Sequence, residues 1–133
     1  MGVVVDSNVL VDVMAGNARA VAQVRDAERT FGPPFLSSIV IFETLVGVLY
    51  RGSVSKTRAL EALLARYAVL PLDAADARRA AEIRVELLRA GRPASSLDTL
   101  IAGQALAGGH VLITCDRGLL DAARAIGLRA ETY

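Results

Sequence analysis

Four carboxylates in this chain stand where acid chemistry could be done. Asp6 follows the apolar run Val3-Val4-Val5, and Asp116 follows Val111-Leu112-Ile113-Thr114-Cys115. Each sits just beyond a predicted strand, and in an open parallel sheet the carboxyl ends of the strands are where ligands bind. Each is also an ordinary N-cap for the helix that follows, and for either Asp alone capping is a sufficient explanation. Glu43 is harder to explain that way. The residues three and four away from it on a predicted helix are Ile39, Val40, Val46 and Gly47, all non-polar. A carboxylate on such a stripe is costly unless it is paired, bound to a cation or able to reach water at the stripe's edge. Gly47, at a cost in helix propensity, suggests close approach of another segment there. Asp98 lies in the first turn of a helix otherwise built from Leu97, Leu100, Ile101 and Ala102. There it also complements the helix dipole, with Ser95 as capping partner.

Brought together, Asp6, Glu43, Asp98 and Asp116 would repel one another, and a divalent cation would neutralise them. Oxygen-only ligands favour Mg²⁺ or Mn²⁺ over zinc. Such an ion beside a phosphodiester lowers the pKa of a water and steadies charge on the transferring phosphate. Ser7, Asn8 and Thr114 are the nearby polar groups able to orient ligand or water. Arg92 and Arg117, with Arg51, Lys56 and Arg89, flank loops near this position and are candidates for phosphate contacts. The chemistry these residues spell is that of a metal-dependent nuclease, provided the four carboxylates converge.

Convergence depends on the elements that carry them. Strands are predicted at Val3-Val5, Phe35-Leu36, Val69-Leu72, Val111-Thr114 and Leu128-Thr132. Helices are predicted from Val9 to about Met14, Ala18 to Arg29, Ser37-Ser38 to about Tyr50, Ser55 to Tyr67, Asp73 to Ala90, Leu97 to Ala107 and Asp116 to Ile126. Gly32-Pro33-Pro34, Arg51-Gly52-Ser53 and the stretch from Gly91 to Ser96 read as loops. Strands alternating with helices imply a three-layer α/β single domain over residues 1–133, with a central, mostly parallel sheet flanked by helices.

Composition agrees. The chain has 133 residues, 15 basic against 14 acidic, 53% hydrophobic and 22% charged, which excludes a disordered chain and leaves no overall basic footprint for nucleic acid. A chain of this length buries roughly two-thirds of its unfolded surface, enough to fold without a disulfide or structural metal. The single Cys115 permits neither a disulfide nor a zinc cluster and fits a reducing, cytoplasmic setting. No secretory leader is expected, because Asp6 interrupts the first apolar run and no basic stretch precedes it. The longest uncharged stretch, Thr99 to Cys115, is split by Gln104, Gly108, Gly109 and His110, so no membrane span is expected either. Cys115 and the lone His110 read as structural, and Asp12, Asp73, Asp76 and Asp121 as surface. No glycine-rich phosphate loop is present.

The sequence resembles the PIN-domain ribonucleases, and within them the VapC-type toxins of toxin–antitoxin pairs. The resemblance spans nearly the whole chain. It rests on Val4-Val5-Asp6-Ser7-Asn8-Val9-Leu10, Glu43-Thr44-Leu45-Val46-Gly47, Ser96-Leu97-Asp98-Thr99-Leu100-Ile101-Ala102 and Leu112-Ile113-Thr114-Cys115-Asp116. It implies a Mg²⁺- or Mn²⁺-dependent endoribonuclease whose acidic quartet is Asp6, Glu43, Asp98 and Asp116, with Ser7 in support. It further implies water attack on the scissile phosphate that leaves 5′-phosphate and 3′-hydroxyl ends. A homodimer and a VapB-like antitoxin that silences the enzyme also follow from it. Ser7 where Thr is commoner, and Asp116 where some members carry Asn, are small departures. The rival is a PIN-like binding module that has lost catalysis. A phosphohydrolase would want a second Asp at the position of Asn8, and a phospho-acceptor receiver a strand-end Lys; neither is present.

Overall fold

The computed structural model describes residues 1–92 and 94–133; Pro93, part of the loop expected before Ser96, lies outside them. In chain order the elements are β1 (Val3–Val5), α1 (Ser7–Met14), α2 (Ala18–Phe31), β2 (Pro34–Ser37), α3 (Ser38–Arg51) and α4 (Val54–Leu64). They continue with β3 (Ala68–Leu70), α5 (Ala74–Arg89), α6 (Ser96–Ala107), β4 (Val111–Ile113), α7 (Arg117–Ala125) and β5 (Ala130–Glu131). Every helix start is capped by the side chain the sequence puts there: Asp6, Asn17, Ser37, Ser53, Asp73, Ser95 and Asp116 each accept a backbone amide of the first turn.

The strands form one sheet in the order β3-β2-β1-β4-β5, and every pairing is parallel. The expectation of a mostly parallel sheet is thus met in full. β1 is central because three consecutive β-branched valines have no polar face to offer solvent, and all three are completely buried. Chain order runs outward from β1 through β2 to β3, then returns to β4 on the other side of β1. The strand order therefore reverses between β1 and β4. Right-handed crossovers then place α1 to α4 on one face of the sheet and α5 to α7 on the other. Leu10, Leu36, Ile101, Leu112, Ile113 and Leu119 fill the space between the layers with almost no exposure.

Several boundaries differ from the sequence reading by one to three residues, and three of them have a visible cause. β3 ends at Leu70, because Pro71 has no amide to extend the ladder. β5 is two residues long, since as an edge strand it pairs only with Leu112 and Ile113. α4 closes at Leu64, where the Arg66 and Tyr67 amides turn back to the carbonyls of Leu63 and Leu64. Gly47 also departs from expectation. A methyl group built there would meet nothing within 4 Å, so among the described residues no other segment packs against it. The close approach lies instead at Gly103 on α6, where an added Cβ would stand 3.0 Å from Ala80 Cβ on α5.

A buried polar chain aligns α3, α6 and the two neighbouring strands. The hydroxyl of Ser37, the cap of α3, bonds Gln104 Oε1 on α6, and Gln104 Nε2 donates to the Leu70 carbonyl at 3.1 Å. α3 carries Glu43 and α6 carries Asp98, so this link sets the relative placement of two of the candidate acids.

Candidate active site

β1 and β4 run side by side, with Val3, Val4 and Val5 opposite Val111, Leu112 and Ile113, and the Asp6 amide donates to the Ile113 carbonyl. Asp6 and Asp116 consequently leave adjacent strand ends at the reversal of strand order, the place where an open α/β sheet has a crevice. Thr114 joins them. Its fully buried hydroxyl donates to Asp6 Oδ2 at 2.7 Å and accepts the Asp116 amide at 3.0 Å. Asp6 Oδ1 accepts the Ser7 amide at 2.8 Å, and only 2% of the residue is exposed. Asp116 is exposed and caps α7 through Oδ1 to the Leu119 amide at 2.9 Å.

Glu43 comes in from α3 and Asp98 from the first turn of α6, both half-buried. Ser95 Oγ accepts the Asp98 amide at 3.0 Å. Glu43 Oε1 is buried with no hydrogen-bond partner, the one such side-chain atom among the described residues. The nearby Ser7 side chain favours the Glu43 charge but closes no bond to that oxygen. An acid that sequence places on an apolar stripe thus proves to be incompletely satisfied as well as buried.

Asp6, Glu43 and Asp98 each feel neighbouring carboxylate charge. Burial raises the pKa of Asp6 above its ordinary value; the bonds from Thr114 and Ser7 pull it back, and the charges of Asp98 and Asp116 push it up again. Burial also raises Glu43, helped by repulsion from Asp6 and Asp98. Asp98 is raised by burial and by Asp116, with Ser95 opposing. Asp6 and Asp116 are thus tied together through Thr114, and Asp6, Glu43 and Asp98 lie within electrostatic reach of one another. Asn8 serves the same region differently: its Oδ1 accepts the Cys115 amide at 3.5 Å. Arg117 opens α7 beside Asp116 and Arg92 follows α5; both are exposed, and neither enters an ion pair among the described residues.

Two further observations bound the chemistry. Among the described residues no three His, Cys, Asp or Glu side chains close into a ready ligand cage. Asp6, Glu43 and Asp98 nevertheless feel neighbouring carboxylate charge. The donor set is all oxygen, and the unpartnered Glu43 Oε1 is the atom a cation would satisfy. The residues fit a hard divalent ion. A cavity of about 580 Å³ lies elsewhere: it is lined by Met14, Val21, Leu63 and Tyr67 among others and by none of the four acids.

The model of the PIN domain family matches residues 3–125. This chain belongs to the PIN domain family. Among relatives of the PIN-domain chain is the tRNA(fMet)-specific endonuclease VapC of Shigella flexneri. The two are 33% identical over 103 residues, which is 77% of this chain and 76% of that protein. Among solved structures it is similar to VapBC2 from Rickettsia felis bound to a promoter DNA fragment (TM-score 0.86, 22% identity, covering 100% and 99% of the two chains). It is similar also to DNA-bound VapBC from Salmonella typhimurium (TM-score 0.81, 26% identity, covering 99% and 98%).

Sequence reasoning missed two contributors to the neighbourhood of the site. Asp12, read as a surface residue, is half-buried and accepts the Tyr133 hydroxyl at 2.5 Å. Tyr133, standing alone beyond β5, had no periodic pattern to mark it. His110 packs at 5.0 Å against Phe35 and accepts the Gly2 amide through Nδ1, far from the acids in role. No helix among the described residues is long and apolar enough to cross a membrane.

Proposed function

We propose that this PIN-domain chain is a Mg²⁺- or Mn²⁺-dependent endoribonuclease, the VapC-type toxin of a toxin–antitoxin pair, with Asp6, Glu43, Asp98 and Asp116 as its catalytic and metal-holding residues. The observation that carries the reading is the buried Glu43 Oε1 left without a hydrogen-bond partner, on a carboxylate that feels the charges of Asp6 and Asp98. The family membership and the named activity of the Shigella relative support the substrate class. When bound, the ion would lower the pKa of a water and neutralise charge on the transferring phosphate.

The chain's own residues do the positioning. Thr114 holds Asp6 and Asp116 in one register. Ser7 and Asn8 present polar groups beside them. Arg92 and Arg117, exposed and in no ion pair among the described residues, would contact RNA phosphates. The relatives named as VapBC complexes support a cognate VapB-like antitoxin as the silencing partner, and an RNA substrate together with the free thiol of Cys115 fits a cytoplasmic protein.

A homodimer belongs to the same reading. On α3, Phe42, Val46 and Leu49 form an exposed apolar stripe at helical spacing, continued by Tyr50 and by Val54 on α4. Leu49→Glu would turn the dimer into a monomer by light scattering; a wild-type monomer at micromolar concentration overturns this part.

The decisive experiment incubates a pool of structured RNAs with purified, antitoxin-free protein in Mg²⁺, in Mn²⁺ and in chelator. Cleavage is expected with either ion and none with chelator, leaving 5′-phosphate ends. Retention of cleavage in chelator would remove the metal from the proposal. A folded protein that cuts nothing yet still binds its antitoxin would favour the binding-module alternative.

A further inference from the structure

The turn Thr114-Cys115-Asp116 carries two groups of the candidate site, and its middle residue is held on both sides. The Cys115 amide donates to Asn8 Oδ1, and its thiol donates to the Tyr133 hydroxyl at 3.1 Å. That hydroxyl in turn donates to Asp12 Oδ2 at 2.5 Å, and Asp12 Oδ2 stands 4.0 Å from the Cys115 sulfur. Asn8 and Asp12 are four residues apart on α1 and so share one face of the helix that Asp6 caps. One short helix therefore grips the turn at three successive points: Asp6 on Thr114, Asn8 on the Cys115 backbone, and Asp12 on the Cys115 side chain through Tyr133.

Neither partner is explained by the fold alone. Asp is a poor helix former, and Asp12 sits half-buried in the interior of α1 with no basic residue paired to it among the described residues. Tyr133 lies two residues beyond β5, past the last strand pairing, yet its phenol is drawn back under the turn. Burial and the Asp12 hydrogen bond push the phenol far above its ordinary pKa, so it keeps its proton and remains the donor.

We infer that Tyr133 and Asp12 are positioning residues for the proposed metal site, acting through Cys115 on the turn that bears Thr114 and Asp116. The inference rests on the proposed function, since what the clamp positions is a ligand set. A thiol is a weak and compact partner. The strong bond of the chain is phenol to carboxylate, and that bond fixes where the thiol, and with it the backbone on either side, can sit.

The test compares wild type with Tyr133→Phe, Asp12→Ala, Asp12→Asn and the Tyr133→Phe/Asp12→Ala double variant, using Mn²⁺ alone as probe. Dissociation constants come from the electron paramagnetic resonance of free Mn²⁺, and amide exchange at residues 114–119 is followed in the same samples without metal. Loss of a residue that orients a metal ligand weakens metal affinity by roughly 10–100-fold, and a group acting one residue further away is expected near the lower end, about 10-fold. Tyr133→Phe and Asp12→Ala should each show that loss with faster exchange of the Asp116 amide. The double variant should lose no more than either single one. Asp12→Asn, which keeps an acceptor for the phenol, should recover most of the affinity.

A merely structural role would lower the melting temperature and leave the Mn²⁺ dissociation constant, measured well below it, unchanged; that result overturns the inference. Wild type that binds Mn²⁺ in an Asp98-dependent way while Tyr133→Phe binds equally well sinks the inference and spares the proposed function. Wild type that binds no Mn²⁺ sinks both.

Discussion

Asp98→Asn is expected to abolish RNA cleavage and, in the absence of metal, to raise the melting temperature at neutral pH. Activity should fall by at least about 10²-fold, because a metal ligand contributes several kcal/mol of charge stabilisation and each 1.4 kcal/mol is tenfold in rate. The stability effect has the opposite sign for a physical reason. Burial and the neighbouring Asp116 raise the Asp98 pKa above 3.8, and Asp98 in turn repels Asp6 and Glu43. A carboxyl whose folded pKa lies above its unfolded one binds its proton more tightly when folded. It therefore opposes folding once pH has climbed through the folded value, and the penalty fades as pH falls back toward 3.8. The competing loss is the favourable interaction of a charged Asp98 with the α6 dipole, worth about 0.3–1 kcal/mol at an exposed site. Relief felt by three acids at once should exceed it.

Two controls read the same balance. The metal-free wild type should gain stability as pH is lowered from 7 toward the ordinary carboxylate values of 3.8 to 4.5, and the variant should gain less. Saturating Mn²⁺ should raise the wild-type melting temperature, by the equivalent of about 2.7 kcal/mol at a hundred times the dissociation constant, and leave the variant nearly unmoved. A metal-free variant that melts below wild type would make Asp98 a helix-dipole residue first. Undiminished cleavage would remove it from the site.

What the sequence could show about this site follows from where the information lies. Asp6 and Asp116 were legible because each ends an apolar run that can only be a buried strand, and parallel strands deliver their ends to one edge. Glu43 was legible because its neighbours on the helix are apolar, so its burial showed as a conflict of pattern. The relative placement of the four acids was not legible. It depends on the return of β4 to the side of β1 and on the Ser37–Gln104–Leu70 chain that aligns α3 with α6, both products of long-range packing. Asp12 failed for the complementary reason: its partner Tyr133 is 121 residues away and belongs to no periodic element. Gly47 was misread because a gap in a helix face looks alike whether it is filled from within the chain or left open on the surface.

Thr114→Val should be the most damaging conservative change in the molecule. The two side chains have nearly the same shape, so packing around a fully buried position is retained and only the hydroxyl is lost. That hydroxyl serves two partners, and both are left wanting: Asp6 Oδ2 loses its donor and the Asp116 amide its acceptor. A buried polar group left unpaired costs roughly 1–3 kcal/mol, more where it is charged, so a loss of about 2–5 kcal/mol is expected. In a chain of this size that is a fall in melting temperature on the order of 10 °C. Asp6 also loses the bond that does most to hold its pKa down, so its pKa rises further and the acid limb of the activity profile moves to higher pH. Thr114→Ser, which restores the hydroxyl and gives up only a methyl group, should return most of both the stability and the original profile. Equal damage from Ser and Val would assign the role of Thr114 to the methyl group and its packing, and the hydroxyl bridge between the two acids would then be incidental.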